Sequence, residues 1–350
     1  MVWENELNER KRTILKSIID DYIQSAQPVG SRTIARKHEL GLGSATIRNE
    51  MADLEELGYI TQPHTSAGRI PSDKGYRFYV ENLMQIHSLA KGEMVIIRNA
   101  MDEKIEEINQ LIRRASNIIS NITGYTAVVM SPQLSKTVIK SVQLLNINER
   151  RTLVVVVAGG GIVHNRLINH EKTIGNIHIA KLNQAFNIII SGKTIDQISM
   201  PMIRDLQKDM NIPSEVVMPI FEAIEDCVRK IETADVYLDG ITNILNYPEF
   251  NDLIKAREVL DLLKEKDIIS QLALETSKKQ LDFRIGSENE INEMKDLSII
   301  TTIYGREGKD MGTIGVIGPT RMTYGKVVSS IKYIGELLNR EIIRMFGEDP

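Results

Sequence analysis

Four residues in one short stretch have the types and the spacing that could read DNA bases. Ala45, Thr46, Arg48 and Asn49 lie within about one and a half turns of a predicted helix. Arginine suits guanine and asparagine suits adenine, while a small side chain lets the backbone approach the methyl group of thymine. The sequence therefore predicts base contacts from Thr46, Arg48 and Asn49, with Ala45 allowing the close approach.

The helix that carries these residues has a predicted start, stop and buried face. Ser44 is predicted to be its N-cap, because a serine hydroxyl can accept a hydrogen bond from a free backbone N–H of the first turn. Gly58 can adopt the left-handed conformation that ends a helix. Ile47, Met51 and Leu54 recur at helical spacing and predict an apolar face. Taken alone, an ordinary solvated amphipathic helix explains this pattern equally well.

The preceding segments favour the DNA-binding interpretation. Leu7 to Ser25 has apolar residues at helical spacing and ends before Pro28, which disfavours a helical residue ahead of it. A short helix is predicted from Ser31 to about Leu40, with Ser31 as its cap. A loop at residues 41–43 separates this helix from the next one. This order predicts a helix-turn-helix with the later helix as the recognition helix.

The following segments predict a wing. Two short strand-like runs, Tyr59 to Thr61 and Arg69 to Pro71, flank a polar loop at residues 62–68. Two strands around a loop directly after a recognition helix are the order of a winged helix. We expect Arg69 to lie at the wing and to contact the DNA backbone or the minor groove. Ser72 is predicted to cap a further helix, from Asp73 to about Leu89.

Positive charge is concentrated where the duplex would lie. Residues 1–85 carry 11 basic and 12 acidic side chains, whereas residues 31–49 carry four basic side chains against Glu39 alone. Acidic residues crowd the far end of the recognition helix, so the helix should enter a groove N-terminus first. Ser44 and Arg32 are predicted to bind phosphates, with an affinity that falls as salt rises. Because one such module is weak, the charge distribution implies a dimer.

Three longer stretches resemble one known family. They are SATIRNEM at 44–51 with LEELGYI at 54–60, PHTSAGRIPSDKGYR at 63–77, and GTIGVIGPTRMTY at 312–324. These motifs are similar to those of the HrcA family of heat-inducible transcription repressors. The resemblance implies a GAF-like domain that carries an inserted dimerising domain. It further implies control of chaperone operons through the CIRCE inverted repeat. It also implies that the chaperonin GroEL is the partner that keeps the repressor active, until unfolded proteins bind GroEL under heat stress.

The remaining pattern predicts an α+β multidomain protein. A first group of strand-like runs lies at 126–130, 138–147, 152–158 and 162–168. Three more lie near the C-terminus, at 281–285, 297–304 and 312–318, and a last helix is predicted at 324–346. Strands before and after an insertion predict one α+β domain interrupted by another, and the resemblance implies that the interrupted domain is GAF-like. We therefore predict a winged-helix domain at 1–90, a discontinuous GAF-like domain at 91–195 and 275–350, and a mainly helical inserted dimerising domain at 196–274. The apolar alternation from Ile105 to Ile122 fits either packing within one chain or a helical dimer contact.

Composition limits the class of protein. The chain has 42% hydrophobic and 26% charged residues and a formal net charge of −4, which argues against a protein that coats nucleic acid indiscriminately. Its single cysteine, Cys227, excludes an internal disulfide and is expected to be a packing residue in a reducing cytoplasm. The N-terminus does not resemble a signal peptide. The longest apolar run, 153–163, contains three glycines and is too short to span a bilayer. We expect a cytoplasmic protein without a membrane segment.

The motifs that could carry enzyme chemistry are weak. The glycines at 159–161 lack the lysine and hydroxyl residue of a phosphate loop and predict a tight hairpin turn. Gly312, Gly315 and Gly318 predict close packing of a strand. The three histidines between residues 164 and 178 match no standard metal spacing. We expect no catalytic residues, cofactor or metal. A metabolite-sensing repressor with a ligand in the GAF-like domain remains the alternative, and an enzyme with a DNA-binding arm is a weaker one.

Overall fold

A computed structural model describes residues 7–346, apart from 65–66, 87–88, 102–106, 133–137, 171–173, 195–196, 199–200, 203–204, 206–213, 277–279 and 307–308. The N-terminal unit is a winged helix whose core is formed by buried aliphatic residues of three helices, such as Ile18, Ile34 and Ile47. Its elements are α1 (Glu9–Ser25), α2 (Ser31–Lys37), α3 (Ser44–Glu56), β1 (Ile60–Thr61), β2 (Ile70–Pro71) and α4 (Asp73–Phe78).

Two helices of this unit are shorter than predicted. Helix α2 ends at Lys37 and not near Leu40, because the backbone of Glu39 has a φ of 42°, in the left-handed region. Helix α4 ends at Phe78 and continues as a single π-helical turn, Tyr79–Leu83, and not to Leu89. Ser72 caps α4 as predicted, since its side chain accepts a hydrogen bond from the backbone N–H of Gly75 at 3.0 Å.

The second unit is built on a five-stranded antiparallel sheet. Its strands are β3 (Thr126–Met130), β7 (Val236–Asp239), β8 (Leu281–Ile285), β9 (Leu297–Arg306) and β10 (Lys309–Pro319), in the spatial order β7-β3-β10-β9-β8. Both faces are covered, so neighbouring residues of β3 enter different cores, Val129 on one side and Val128 on the other. Burial on both faces explains why β3, with the sequence TAVVM, has apolar residues in succession and no apolar–polar alternation.

Helices cover the two faces of this sheet. Helix α6 (Ile108–Thr123) packs on one face beside α11 (Tyr324–Phe346), with α5 (Lys91–Met101) against both. The alternation predicted from Ile105 to Ile122 therefore packs within the chain over its described part. Helices α9 (Leu253–Lys264) and α10 (Lys266–Thr276) contribute to the core on the other face.

The glycines of β10 allow close packing, as predicted. A Cβ atom on Gly315 would lie 2.7 Å from the carbonyl oxygen of Ile300 on β9, and one on Gly318 would lie 2.7 Å from the ring of Tyr125. Contacts this short leave no room for a side chain. The spacing of glycines is therefore a packing requirement of the sheet.

A separate three-stranded antiparallel sheet is formed by β4 (Ile139–Asn148), β5 (Arg151–Ala158) and β6 (Val163–Asn169). The glycines at 159–161 form a tight 3₁₀ turn between β5 and β6, as predicted. Helices α7 (Asn176–Ile190) and α8 (Ser214–Glu232) pack against these strands.

The sheet pairing moves the insertion away from its predicted position. β7 pairs with β3, so the chain leaves the five-stranded sheet after Met130 and returns at Val236. The intervening segment contains the three-stranded sheet, α7 and α8, whereas α9 and α10 pack on the larger sheet. The predicted boundaries at 196 and 274 therefore do not match the sheets. Strand-like runs predict strands but not partners, because pairing is decided by contacts that are distant in sequence.

Helix α7 seals one edge of the small sheet with two asparagines. The amide of Asn183 accepts from the backbone N–H of Leu144 at 2.7 Å and donates to its carbonyl at 3.0 Å. Asn187 makes the same pair of bonds with Val142, at 3.0 and 2.6 Å. Four helical residues rise about 6 Å and two strand residues about 6.8 Å, so asparagines at i and i+4 match alternate strand residues. The two side chains occupy the positions of a fourth strand.

We expect the double variant Asn183→Ala/Asn187→Ala to lose about 1–3 kcal/mol of unfolding free energy, because it leaves edge N–H and C=O groups without these partners. Urea unfolding of the full chain measures the loss, and light scattering on heating tests whether the bare edge associates. Asn117→Ala/Asn121→Ala is the matched control, because these asparagines have the same spacing on α6 and are exposed. Equal losses in the two double variants would contradict the edge-sealing role.

Candidate nucleic-acid interface

The first turns of α3 form an exposed surface with the composition predicted for base contacts. Ser44, Ala45, Thr46, Arg48 and Asn49 are all exposed. On the opposite face Ile47, Met51 and Leu54 are buried against the rest of the winged helix, as their spacing predicts. We call the five exposed residues the reading face. The structure thus brings together five of the predicted DNA-binding residues on one end of one helix.

The start of α3 differs from the prediction by one residue. Gly43 is the N-cap, with extended backbone, and its carbonyl accepts from the backbone N–H of Ile47 at 3.1 Å. Ser44 is therefore the first helical residue and not the N-cap. A glycine N-cap needs no side chain to adopt this conformation. The hydroxyl of Ser44 lies in the first turn, where backbone N–H groups are also unpaired and can bind a phosphate.

The end of α3 is as predicted. Gly58 has a φ of 78°, and the backbone N–H groups of Tyr59 and Gly58 donate to the carbonyls of Leu54 and Glu55, both at 2.9 Å. This pair of bonds is a Schellman motif, in which a glycine in the left-handed region closes the helix. It turns the chain directly into β1.

Three arginines around the reading face have no ion-pair partner among the described residues. Arg48 is part of the face itself, while Arg32 and Arg36 are exposed on α2, which packs against α3. Lys37, from the same predicted basic region, is instead paired with the buried carboxylate of Asp21, and Nε2 of His38 lies 3.1 Å from the same carboxylate. The positive charge that remains for phosphates is therefore carried by arginines, which favour bidentate contacts with phosphate.

Two acidic residues of α3, Glu50 and Asp53, are paired with cations from α1. Lys11 on α1 lies 2.9 Å from both Glu50 and Asp53, and Arg10 lies 3.4 Å from Glu50. The hydrogen bonds to Asp53 and Glu50 raise the pKa of Lys11, which holds its charge. These pairs reduce the repulsion that the acids would exert on phosphates. They join residues about 40 positions apart, and no local sequence signal predicts them.

Arg69 lies at the base of the wing and not with the reading face. Its backbone pairs with Val29, with N–H to carbonyl distances of 2.9 and 2.8 Å, so β2 is joined to the segment ahead of α2. Its guanidinium donates to Glu55 at 2.8 Å and is largely buried. This pairing fixes the wing against α3. The DNA contact predicted for Arg69 stays a prediction and would require the guanidinium to leave Glu55.

We expect Arg69→Gln to lower the unfolding free energy by about 1 kcal/mol through the loss of the Glu55 pair, with little change in the salt dependence of DNA binding. Arg32→Gln is the matched variant. It should change the salt dependence of DNA binding and not the unfolding free energy, because Arg32 is exposed. Its plot of log affinity against log salt should become shallower by about one unit, with stability unchanged. Thermal unfolding and salt titrations measure both quantities. A shallower slope for Arg69→Gln would instead place that arginine on DNA.

Two other residues that could carry chemistry, Cys227 and His170, are buried in packed parts of the chain. Cys227 is buried, and burial raises the pKa of its thiol, as expected for a packing residue. His170 is buried and hydrogen-bonds the hydroxyl of Thr152 at 2.9 Å. Within the described ranges, no group of three or more histidine, cysteine or acidic residues is placed to hold a metal ion. No helix in that part of the chain is long and apolar enough to cross a membrane.

Comparison with known proteins agrees with this geometry. Residues 6–84 match the family described as "Winged helix-turn-helix transcription repressor, HrcA DNA-binding", and residues 109–328 match "HrcA protein C terminal domain". The chain belongs to the HrcA family. The HrcA family is one of transcription repressors and not of enzymes, and the reading face lies inside its DNA-binding segment.

Individual HrcA relatives are similar over nearly their whole length. Proteins named heat-inducible transcription repressor HrcA are 48% identical in Acetivibrio thermocellus, over 98% of both chains, and 45% identical in Ruminiclostridium cellulolyticum, over 97% of this chain and 98% of the relative. A crystal structure of a hypothetical protein at 2.2 Å resolution has a TM-score of 0.68 and 24% identity, covering 97% of this chain and 100% of the other. The fold of this chain is therefore similar to that of a protein whose structure has been solved.

Proposed function

We propose that this HrcA chain acts in the cytoplasm as a homodimer that occupies an inverted repeat, the CIRCE element, and blocks transcription of chaperone operons. The observation that carries the proposal is the reading face. It is exposed and flanked by arginines without ion-pair partners among the described residues, while Glu50 and Asp53 farther along α3 are paired with Lys11. Such a face can enter the major groove N-terminus first.

Each residue of the reading face has a proposed contact. Arg48 suits guanine through paired hydrogen bonds and Asn49 suits adenine in the same way, while Thr46 can bond either kind of base. Ala45 leaves room for a thymine methyl group. Ser44 and Arg32 contact phosphates, which fix the register of the helix but do not read sequence.

An open apolar face of the three-stranded sheet supports dimerisation. The register places Leu145, Leu153 and Leu167 side by side across β4, β5 and β6, and pairs Val157 with Val163. Leu145 and Leu167 are 49% and 50% exposed, and the opposite face of the sheet is covered by α7 and α8. We call this surface the leucine face.

The occupant we propose for the leucine face is the same face of a second copy. A two-fold dimer uses one patch on both subunits, so the patch must complement itself. Two aliphatic sheet faces can pack at about 10 Å and interdigitate. A two-fold dimer also matches the symmetry of an inverted repeat.

The proposed role of GroEL rests on membership of the HrcA family. Under this proposal the chaperonin maintains a fold that binds DNA, and unfolded proteins compete for it when the cell is heated. Repression then falls as the demand for chaperones rises.

A gel-shift titration of the full chain tests the proposal. The duplexes carry an intact inverted repeat, a repeat with one half-site scrambled, and a fully scrambled sequence, each with and without GroEL. The intact repeat should bind tightest, and GroEL should raise the fraction of protein that binds. Equal affinity for all three duplexes would overturn the operator proposal, whereas preference for the repeat without any effect of GroEL would overturn the chaperonin role alone.

A further inference from the structure

The winged helix is not loosely tethered to the five-stranded-sheet unit. Contacts at separate points join the two, and one set links α4 to the turn that follows β8, Gly286–Glu288. We call the set formed by Asp73, Arg77, Gly286 and Glu288 the clasp. We infer that the clasp fixes the direction of α3 relative to the rest of the chain, so that Arg77 and Glu288 are positioning residues that set the half-site spacing the dimer accepts.

The first half of the clasp is a two-pronged ion pair. The Nε of Arg77 donates to Oε1 of Glu288 at 2.7 Å, and an Nη donates to the other carboxylate oxygen. The same Nη donates to the backbone carbonyl of Phe283 on β8 at 2.7 Å. Paired bonds from a planar guanidinium define orientation as well as distance. Arg77 therefore holds α4 at one angle to the sheet.

The second half of the clasp depends on a glycine. The carboxylate of Asp73 accepts from the backbone N–H of Ser287 at 2.8 Å. A Cβ atom on Gly286 would lie 2.2 Å from Oδ1 of Asp73, and the φ of Gly286 is 55°. Both the close approach and the backbone conformation require glycine.

The turn that receives α4 is itself rigid. The buried side-chain amide of Asn289 donates to the carbonyls of Gly286, Met294 and Leu297 at 3.0, 3.0 and 2.9 Å. Glu288 also accepts from the backbone N–H of Ile285 at 2.8 Å. Because these hydrogen bonds hold the turn in one conformation, its contacts with α4 fix the orientation of α4 relative to the sheet.

Contacts away from the clasp prevent rotation about it. Arg321, just ahead of α11, pairs with Glu249 and donates to the carbonyl of Ile23, in the last turn of α1, at 3.2 Å. Tyr324 is buried between the units, with its ring centre 5.9 Å from that of Tyr76. Because the winged helix is attached at α1, at α4 and through the aromatic residues, it and the five-stranded-sheet unit form one rigid body.

The fixed attachment extends to the reading face. Helix α3 packs on α1, and a Cβ atom on Gly75 of α4 would lie 2.1 Å from the carbonyl of Tyr59, directly after α3. Helix α11 also contacts the 3₁₀ turn Gly159–Gly161 of the three-stranded sheet, so a continuous packed path runs from α3 to the leucine face. In a dimer, this path fixes the distance between the two recognition helices. Half-sites must then be separated by one helical turn or a multiple of it, in steps of about 34–36 Å. This inference rests on the proposed function, because it needs a dimer on an inverted repeat.

The test measures spacing preference with the full chain. Inverted repeats are prepared with the half-sites at their best spacing and with about five base pairs inserted, which is half a helical turn. A single half-site duplex reports the affinity of the reading face alone. The clasp variants are Arg77→Gln and Glu288→Gln, and Gly286→Ala opens the clasp without removing a charge. Arg229→Gln is the matched control, because it removes an arginine from an exposed ion pair on α8.

Wild type and Arg229→Gln should prefer the best spacing over the half-turn spacing by about a hundredfold, because wrong geometry removes the benefit of the second site. The clasp variants should reduce that ratio to about tenfold or less, with half-site affinity within about twofold of wild type. Unchanged half-site affinity shows that the winged helix is folded. A wild-type ratio in all three clasp variants would overturn the inference alone. Loss of half-site affinity in all three would also overturn it, because the clasp would then support the fold. No spacing preference in wild type would overturn the proposed dimer as well.

Discussion

Arg48→Ala is expected to cost about 1–3 kcal/mol of preference for the operator over a scrambled duplex, which is a change of about fivefold to 150-fold. Arg48 is exposed in the second turn of α3, has no ion-pair partner among the described residues, and belongs to the reading face. A bidentate contact with guanine is a common specific contact of arginine in the major groove. Gel-shift titrations against both duplexes at one salt concentration measure the change.

Arg36→Ala is the control for this experiment. Arg36 is also exposed but lies on α2, beside the reading face. As a phosphate contact it should weaken binding to the operator and to the scrambled duplex by similar factors. If Arg48→Ala weakened both duplexes equally, as a phosphate contact would, the base-reading role of α3 would be wrong.

The double variant Leu145→Asp/Leu167→Asp is expected to convert the dimer to a monomer and to lower affinity for the inverted repeat by about a hundredfold or more. The two leucines flank Leu153 on the leucine face. Facing carboxylates in an apolar interface would be desolvated without partners, which is strongly unfavourable. Sedimentation velocity measures the oligomeric state, and the single half-site duplex should bind as before.

The matched control for the dimer surface is Ile177→Asp/Ile188→Asp. These residues of α7 are 73% and 74% exposed but lie outside the leucine face. Substitution of exposed isoleucines with aspartate should leave the dimer intact. A monomer in this control, with a dimer in the leucine variant, would move the interface to α7.

The winged helix was predictable because its signals are local. Apolar spacing, Gly58 and the polar loop before Arg69 predict elements from neighbouring residues, and the structure contains those elements. The N-cap of α3 is shifted by one residue because serine and glycine are both good N-caps, and the sequence has them side by side. Helix ends therefore differ by a few residues while helix identity is confirmed.

The position of the insertion was not predictable from local signals. The strand of four residues that returns the chain to the large sheet, β7, pairs Tyr237 with Val129, more than a hundred positions away. Short apolar runs look alike whichever sheet they join. The clasp was not predictable from local signals either, because Arg77 and Glu288 are 211 residues apart. In both cases long-range pairing, and not propensity, decides the structure.

Protection of guanines from methylation at N7 by dimethyl sulfate is the most direct measurement of the central claim, that two copies of α3 read the major groove of an inverted repeat. The N7 atom lies in the major groove, where Arg48 is proposed to bind. The account predicts two protected clusters related by the dyad and separated by one helical turn or a multiple of it, with Arg48→Ala losing protection at the same guanine in each half. Uniform weak protection, or none in the major groove while the duplex is fully bound, would contradict it.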